Sequence, residues 1–173
     1  GLMLAKQHPE DLGRLMVVDS LPWYGVVFGG PTATVAALEP QAAAMRDRTI
    51  GSSPEAWAAM ETQFMTRLIK LPEGLKAGTA AAVASNPAVV GQALYDDLTT
   101  DLRGEVASIK TPTLVLYPWD ESTHAPQAVF DQLYTNAYAP MTSAKVKRID
   151  GSYHFIMYDQ PAAFAAEVES FLK

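Results

Sequence analysis

Two residues near the end of this chain have the types and the setting for acid–base work. His154 stands in Gly151-Ser-Tyr-His-Phe-Ile-Met157, a loop that follows the apolar-alternating run Lys145-Val-Lys-Arg-Ile-Asp150. Asp120 ends Pro118-Trp-Asp, directly after the buried-strand pattern Thr113-Leu-Val-Leu-Tyr117. An ester carbonyl needs a nucleophile, a base to take its proton and a group that fixes the tautomer of that base. A carboxylate at one strand end and a histidine beyond the next supply the last two of these. The loops that follow parallel strands gather at the carboxyl edge of the sheet, where ligands bind.

The elements that must hold these residues follow from pattern and punctuation. Leu2, Met3, Leu4 and Ala5 belong to an apolar helix closed at His8-Pro9, where proline forbids continuation. Leu15-Met-Val-Val-Asp19 is too short and too β-branched for a helix and reads as a buried parallel strand, ended by Ser20-Leu-Pro22. From Trp23 to about Gly104 the spacing is helical. Trp57, Met60, Phe64 and Leu68 share one face behind the Ser53-Pro54 cap, and Val90, Leu94 and Leu98 share another behind Asn86-Pro87. Gly29-Gly30-Pro31-Thr32 reads as a flexible lid entry.

Alternation then resumes: strand 112–117, helix 126–138, strand 144–149, helix 160–172. Two consecutive strand–helix units are the grammar of a parallel sheet with right-handed crossovers. The expected class is α/β, with three strands visible and a helical insertion. The expected division is 1–22 for a helix end and core strand, 23–104 for the helical insertion and 105–173 for two strand–helix units.

Composition narrows the function classes. The 173 residues are 49% hydrophobic with a formal net charge of −6, and mean hydropathy is +0.02 with a pI near 5.0. No basic stripe exists to neutralise phosphates, which argues against nucleic acid as a partner. No run approaches the roughly 18 uninterrupted apolar residues of a membrane span. The absence of cysteine removes disulfides, thiol nucleophiles and zinc–thiolate sites together. The three histidines show no metal-ligand spacing, so neither a metal nor a cofactor is expected. Compartment stays open, because the opening residues read as the middle of a helix and carry no address.

Three segments together resemble the α/β-hydrolase family. Pro112-Thr-Leu-Val-Leu-Tyr-Pro-Trp-Asp120 is similar to its strand-and-acid segment, and Gly151-Ser-Tyr-His-Phe-Ile-Met-Tyr-Asp-Gln-Pro161 to its histidine loop and last helix. Gln7-His-Pro-Glu-Asp-Leu-Gly-Arg-Leu-Met-Val-Val-Asp-Ser-Leu-Pro22 resembles the stretch after the nucleophile helix. The resemblance implies the C-terminal part of that fold, with residues 23–104 as a cap and Asp120 and His154 as triad acid and base. Some members place the acid where Asp19 stands, so Asp19 is a reserve candidate, and Glu121, shifted by one residue, is a weaker one.

The family's Gly-x-Ser-x-Gly elbow occurs nowhere in the sequence, and Gly51-Ser52-Ser53-Pro54 reads better as a helix cap. The resemblance puts the nucleophile roughly half a dozen residues before Gly1, in an upstream part that would also cover the open sheet edge. The implied activity is a serine hydrolase acting on small to medium apolar carboxylic esters through an acyl-enzyme. An aspartate at the elbow would instead give an epoxide hydrolase or dehalogenase. A hydroxynitrile lyase keeps the serine, and a relative without a nucleophile would only bind ligands.

Trp23, Tyr24, Trp119 and Phe155 are candidate substrate contacts, with ordinary core packing as the competing explanation. Trp57, Met60 and Phe64 fit core packing better than substrate contact, and Met45 and Met65 suit a pocket wall or an irregular core equally. His124 reads as a surface loop residue and His8 as an ordinary helix end.

Overall fold

The computed structural model describes residues 1–123 and 125–173, so the expectation for His124 lies outside the described residues. Strands β1 (Leu15–Val18), β2 (Thr113–Trp119) and β3 (Ala144–Asp150) form a parallel sheet in the order β1-β2-β3 among the described residues. Register sets Val18 beside Leu116 and Trp119 beside Asp150. The helices are α1 (Leu2–Gln7), α2 (Gly25–Gly29), α3 (Val35–Ile50), α4 (Pro54–Leu68), α5 (Pro72–Ala84), α6 (Pro87–Thr99), α7 (Gln127–Tyr138), α8 (Ile156–Asp159) and α9 (Pro161–Leu172). No helix is long and apolar enough to cross a membrane among the described residues.

The chain divides into two compact units. The first comprises 1–22, 67–74 and 102–173, and the second comprises 23–66 and 75–101. The helical insertion of the sequence reading, 23–104, is therefore interrupted by 67–74, which belongs with the sheet. The chain first leaves the sheet unit at Pro22 and returns for the last time at Leu102, whose amide donates to the Pro22 carbonyl at 3.0 Å.

In the sheet unit, side chains alternate across the two faces. Leu116, Ile149 and Ile156 are buried together with Met16, Val18 and Leu114, against Ala163 and Phe164 of α9. On the opposite face Tyr117 stacks on Tyr134 of α7, with ring centroids 4.4 Å apart. Helices thus cover both faces, as near-continuous apolar parallel strands require. Burying Leu116 and Ile156 completely contributes about 1.5–3 kcal/mol each.

In the helical unit, the expected caps form. Ser53 Oγ accepts from the Ala56 amide at 3.2 Å, and Asn86 Oδ1 from the Ala88 amide at 2.8 Å. Ser52 Oγ donates to the Thr49 carbonyl, which accounts for the Gly51–Pro54 serines as turn residues. The face of α4 departs from expectation. Trp57, Glu61 and Met65 are the buried residues, whereas Met60 and Phe64 are exposed. The spacing is i, i+4, i+8, and the acidic member hides it from a hydropathy count. Burial pushes the Glu61 carboxyl above the usual range. Helices α3 and α6 approach closely at Gly91, where a Cβ would stand 3.0 Å from the Arg46 carbonyl oxygen.

Candidate active site

The sheet's carboxyl edge gathers three ionisable side chains from the ends of its three strands. Asp19 follows β1 and is one of the few places where the backbone does something unusual. Its φ of +46° lies in the left-handed region that aspartate tolerates better than most residues. Its amide still donates to the Leu116 carbonyl at 2.7 Å, so the turn begins while the strand is still paired.

His154 sits beyond β3, in a loop that turns at Gly151 (φ +76°) and is anchored where the Phe155 amide donates to the Leu68 carbonyl at 3.1 Å. His154 Nδ1 lies 2.6 Å from Asp19 Oδ2. The histidine side chain is 41% exposed and the aspartate 12%. This is a carboxylate–imidazole pair with one wet face. With Nδ1–H donating to the carboxylate, Nε2 is the basic nitrogen, and it meets no hydrogen-bonding partner among the described residues.

Asp120 was the carboxylate expected beside His154, and here the geometry differs. Its side chain is 2% exposed. One oxygen faces Lys70 Nζ at 2.5 Å, and the other accepts from the Ser122 amide at 3.0 Å and from Ser122 Oγ. Burial alone would raise the Asp120 carboxyl, but the Lys70 and Ser122 hydrogen bonds outweigh it and hold the group below the ordinary aspartate range. The same pair raises the Lys70 ammonium.

The physical reason is register together with charge. Asp19 leaves the sheet beside Tyr117, three residues earlier than Asp120, which is roughly 10 Å along the strands. The buried acid at the higher level already has a cation. Glu121, the other reserve, is exposed.

The four aromatic candidates separate. Trp23 is 1% exposed, and its indole N–H donates to the Leu98 carbonyl at 2.8 Å, so it packs inside the helical unit. Tyr24 meets the Phe28 ring edge-on at 5.5 Å in that same unit. Trp119 is half-buried, with its indole nitrogen 3.4 Å from the Ala125 carbonyl. Phe155 touches His154, its ring standing edge-on to the imidazole at 4.7 Å.

Four residues that the sequence reading passed over complete the surroundings. Tyr134 donates to Asp19 Oδ1, and Tyr138 donates to the Ser20 carbonyl at 2.9 Å. Their i, i+4 spacing on a predicted helix was the available signal. Lys70 neutralises Asp120. Asp159, 2% exposed, accepts from the amides of Lys70, Leu71 and Tyr153 and so ties the 67–74 segment to the histidine loop. An exposed trio, His8, Glu10 and Asp11, has ligand atoms within 4.8 Å of one another; exposed acids of this kind are common without a metal.

No family model and no curated protein sequence matches the chain. Solved structures do. A hydrolase from Pseudomonas aeruginosa superposes with a TM-score of 0.70 at 21% identity, over 99% of this chain and 60% of its own. An enol-lactonase from Burkholderia xenovorans gives 0.73 at 18% identity, over 99% and 60%. A thermophilic esterase from Thermogutta terrifontis gives 0.75 at 15% identity, over 99% and 59%.

The chain has the α/β-hydrolase fold. It spans about 60% of the length of the structures it matches, and its open parallel sheet is consistent with the C-terminal portion of that fold.

Proposed function

We propose that this chain carries the base and its orienting acid for a serine hydrolase that cleaves carboxylic esters of small to medium apolar substrates. His154 is the base and Asp19 the acid, with the nucleophile contributed by an upstream segment of the same protein. The observation that carries this reading is the 2.6 Å Asp19–His154 pair at the carboxyl edge, with a half-exposed imidazole. The resemblance to an esterase and an enol-lactonase supports the reaction class.

The serine oxygen attacks the ester carbonyl while Nε2 takes its proton. That proton then passes to the departing alkoxide, leaving an acyl-enzyme. Water repeats the cycle, with His154 removing its proton and returning it to the serine. Asp19 holds the imidazole by Nδ1 and stabilises its cation without itself taking the proton. Phe155, edge-on to the ring, restricts its rotation and offers apolar surface to the acyl or alcohol group. Asp120, committed to Lys70, holds the 67–74 segment in place.

The test uses the chain together with its upstream segment and a short-chain aryl ester. Turnover blocked by a serine-directed phosphonate is expected. His154→Ala abolishes it, and Asp19→Asn lowers kcat by roughly 10⁴-fold, while Asp120→Asn costs far less. The reverse ranking of the two aspartates would return the acid role to Asp120. Turnover insensitive to the phosphonate would indicate an aspartate nucleophile, and no turnover at all a binding role.

A further inference from the structure

Resting on the dyad just proposed, we infer that Tyr134 is a positioning residue that sets both the orientation of Asp19 and the pH at which His154 works. Asp19 divides its oxygens: Oδ2 faces His154 Nδ1 at 2.6 Å, and Oδ1 accepts the Tyr134 hydroxyl. A carboxylate with one oxygen pinned by a donor has one rotamer in which the other can meet the imidazole. A donor also withdraws charge from that carboxylate, which weakens its hold on the imidazolium.

The tyrosine is itself immobilised. It is 5% exposed, and its ring lies 12° from parallel on Tyr117 at 4.4 Å. Tyr117 donates to Asp131 Oδ1 at 2.7 Å, and Arg148 Nη1 donates to both oxygens of Asp131 at 2.8 Å. Burial and the Asp131 hydrogen bond push the Tyr117 hydroxyl up to about 12. One turn along α7, Tyr138 donates to the Ser20 carbonyl at 2.9 Å, so the helix grips two consecutive residues of the β1 end.

The ionisable groups ranged round Asp19 are therefore Tyr134 and Tyr138 of α7, Tyr117 of β2 and His154. The Asp131–Arg148 pair stands behind Tyr117, and Asp120, Lys70 and Tyr153 lie at the neighbouring strand ends. A residue there only for packing would keep its effect when the hydroxyl is removed and the ring retained.

Tyr134→Phe does that, with Tyr138→Phe as the control. NMR titration of the His154 ring protons should move upward by roughly half a pH unit in Tyr134→Phe and stay in place in Tyr138→Phe. In an Asp19→Asn background the Tyr134→Phe shift should vanish, as a coupling through that carboxylate demands. In the protein with its upstream segment, the acid limb of kcat/KM should move by the same amount, with kcat reduced and KM kept.

Should Tyr134→Phe fold poorly, Tyr117→Leu removes the ring stacked on Tyr134 without changing charge and should give a smaller shift of the same sign. No shift in either variant, or an equal shift in Tyr138→Phe, overturns the inference. Because the titration needs no turnover, an inactive protein would sink the hydrolase reading and leave this test readable.

Discussion

Replacing Asp159 should open the loop that carries His154, and the structure says by how much and where first. The carboxylate is 2% exposed and serves three backbone donors. Oδ1 accepts from the Leu71 amide at 2.9 Å, the Lys70 amide is shared at 2.9 and 3.1 Å, and Oδ2 accepts from the Tyr153 amide at 2.8 Å. Hydrogen bonds to a charged group contribute about 1.5–3 kcal/mol each, so three set an upper bound of about 5–9 kcal/mol. Lys70 and Leu71 are exposed, and water can replace the carboxylate at their amides. That recovers about half the sum, and Asp159→Ala should cost about 3–4 kcal/mol. Asp159→Asn is more selective. Its oxygen can keep Lys70 and Leu71, but its amide then confronts the Tyr153 N–H, donor against donor. The cost of about 1–2 kcal/mol should fall on Tyr153. Amide hydrogen exchange reads this directly, since each 1.4 kcal/mol is tenfold in opening. Tyr153 should exchange roughly 5- to 30-fold faster in Asp159→Asn, with Lys70 and Leu71 nearly unchanged. Equal acceleration of all three, or none at Tyr153, would refute the idea that this side chain clips the two segments together.

Two further outcomes follow from charge and from packing. Asp120 is held below the ordinary aspartate range, so its contribution is present above the unfolded value of 3.8 and is lost as pH falls through the depressed folded one. Acid unfolding followed by circular dichroism should therefore be less steep in Asp120→Asn, and an unchanged acid limb would remove Asp120 from the account. Gly91→Ala sets a clash against a propensity gain. The new Cβ would meet the Arg46 carbonyl oxygen at 3.0 Å and Thr49 Cβ at 3.2 Å. Overpacking costs about 1–3 kcal/mol, and alanine recovers about 1 kcal/mol of helix propensity. A net loss of about 1 kcal/mol in urea denaturation is expected, and a gain in stability would mean that α3 and α6 yield easily.

Much of this architecture was legible in the sequence because local physics writes it there. Short apolar runs marked the first two strands and apolar alternation the third, all to within two residues, and proline after Ser53 and Asn86 marked two helix starts that the caps confirm. The loop of His154 was marked by its small residues between a strand and Gln160-Pro161. Harder to see was the α4 face, because a buried glutamate occupies the middle of its stripe. The 67–74 segment was read as part of the insertion, since only its contacts with residues 153–159 attach it to the sheet unit.

What the sequence determined alone is the three strands, the helices α1, α4, α6, α7 and α9, their order, and the place of His154 on the loop after the last strand, each of which depends on neighbours within a few positions. Which carboxylate meets His154 was decided by tertiary structure. Asp19 and Asp120 both follow buried strands, and nothing local separates them. Asp19 meets His154 across 135 positions, Tyr134 reaches Asp19 across 115, and Lys70 claims Asp120 across 50. Such pairings follow from strand register, a left-handed turn at Asp19 and the competition of one lysine for the buried Asp120, all of which exist only once the sheet has formed.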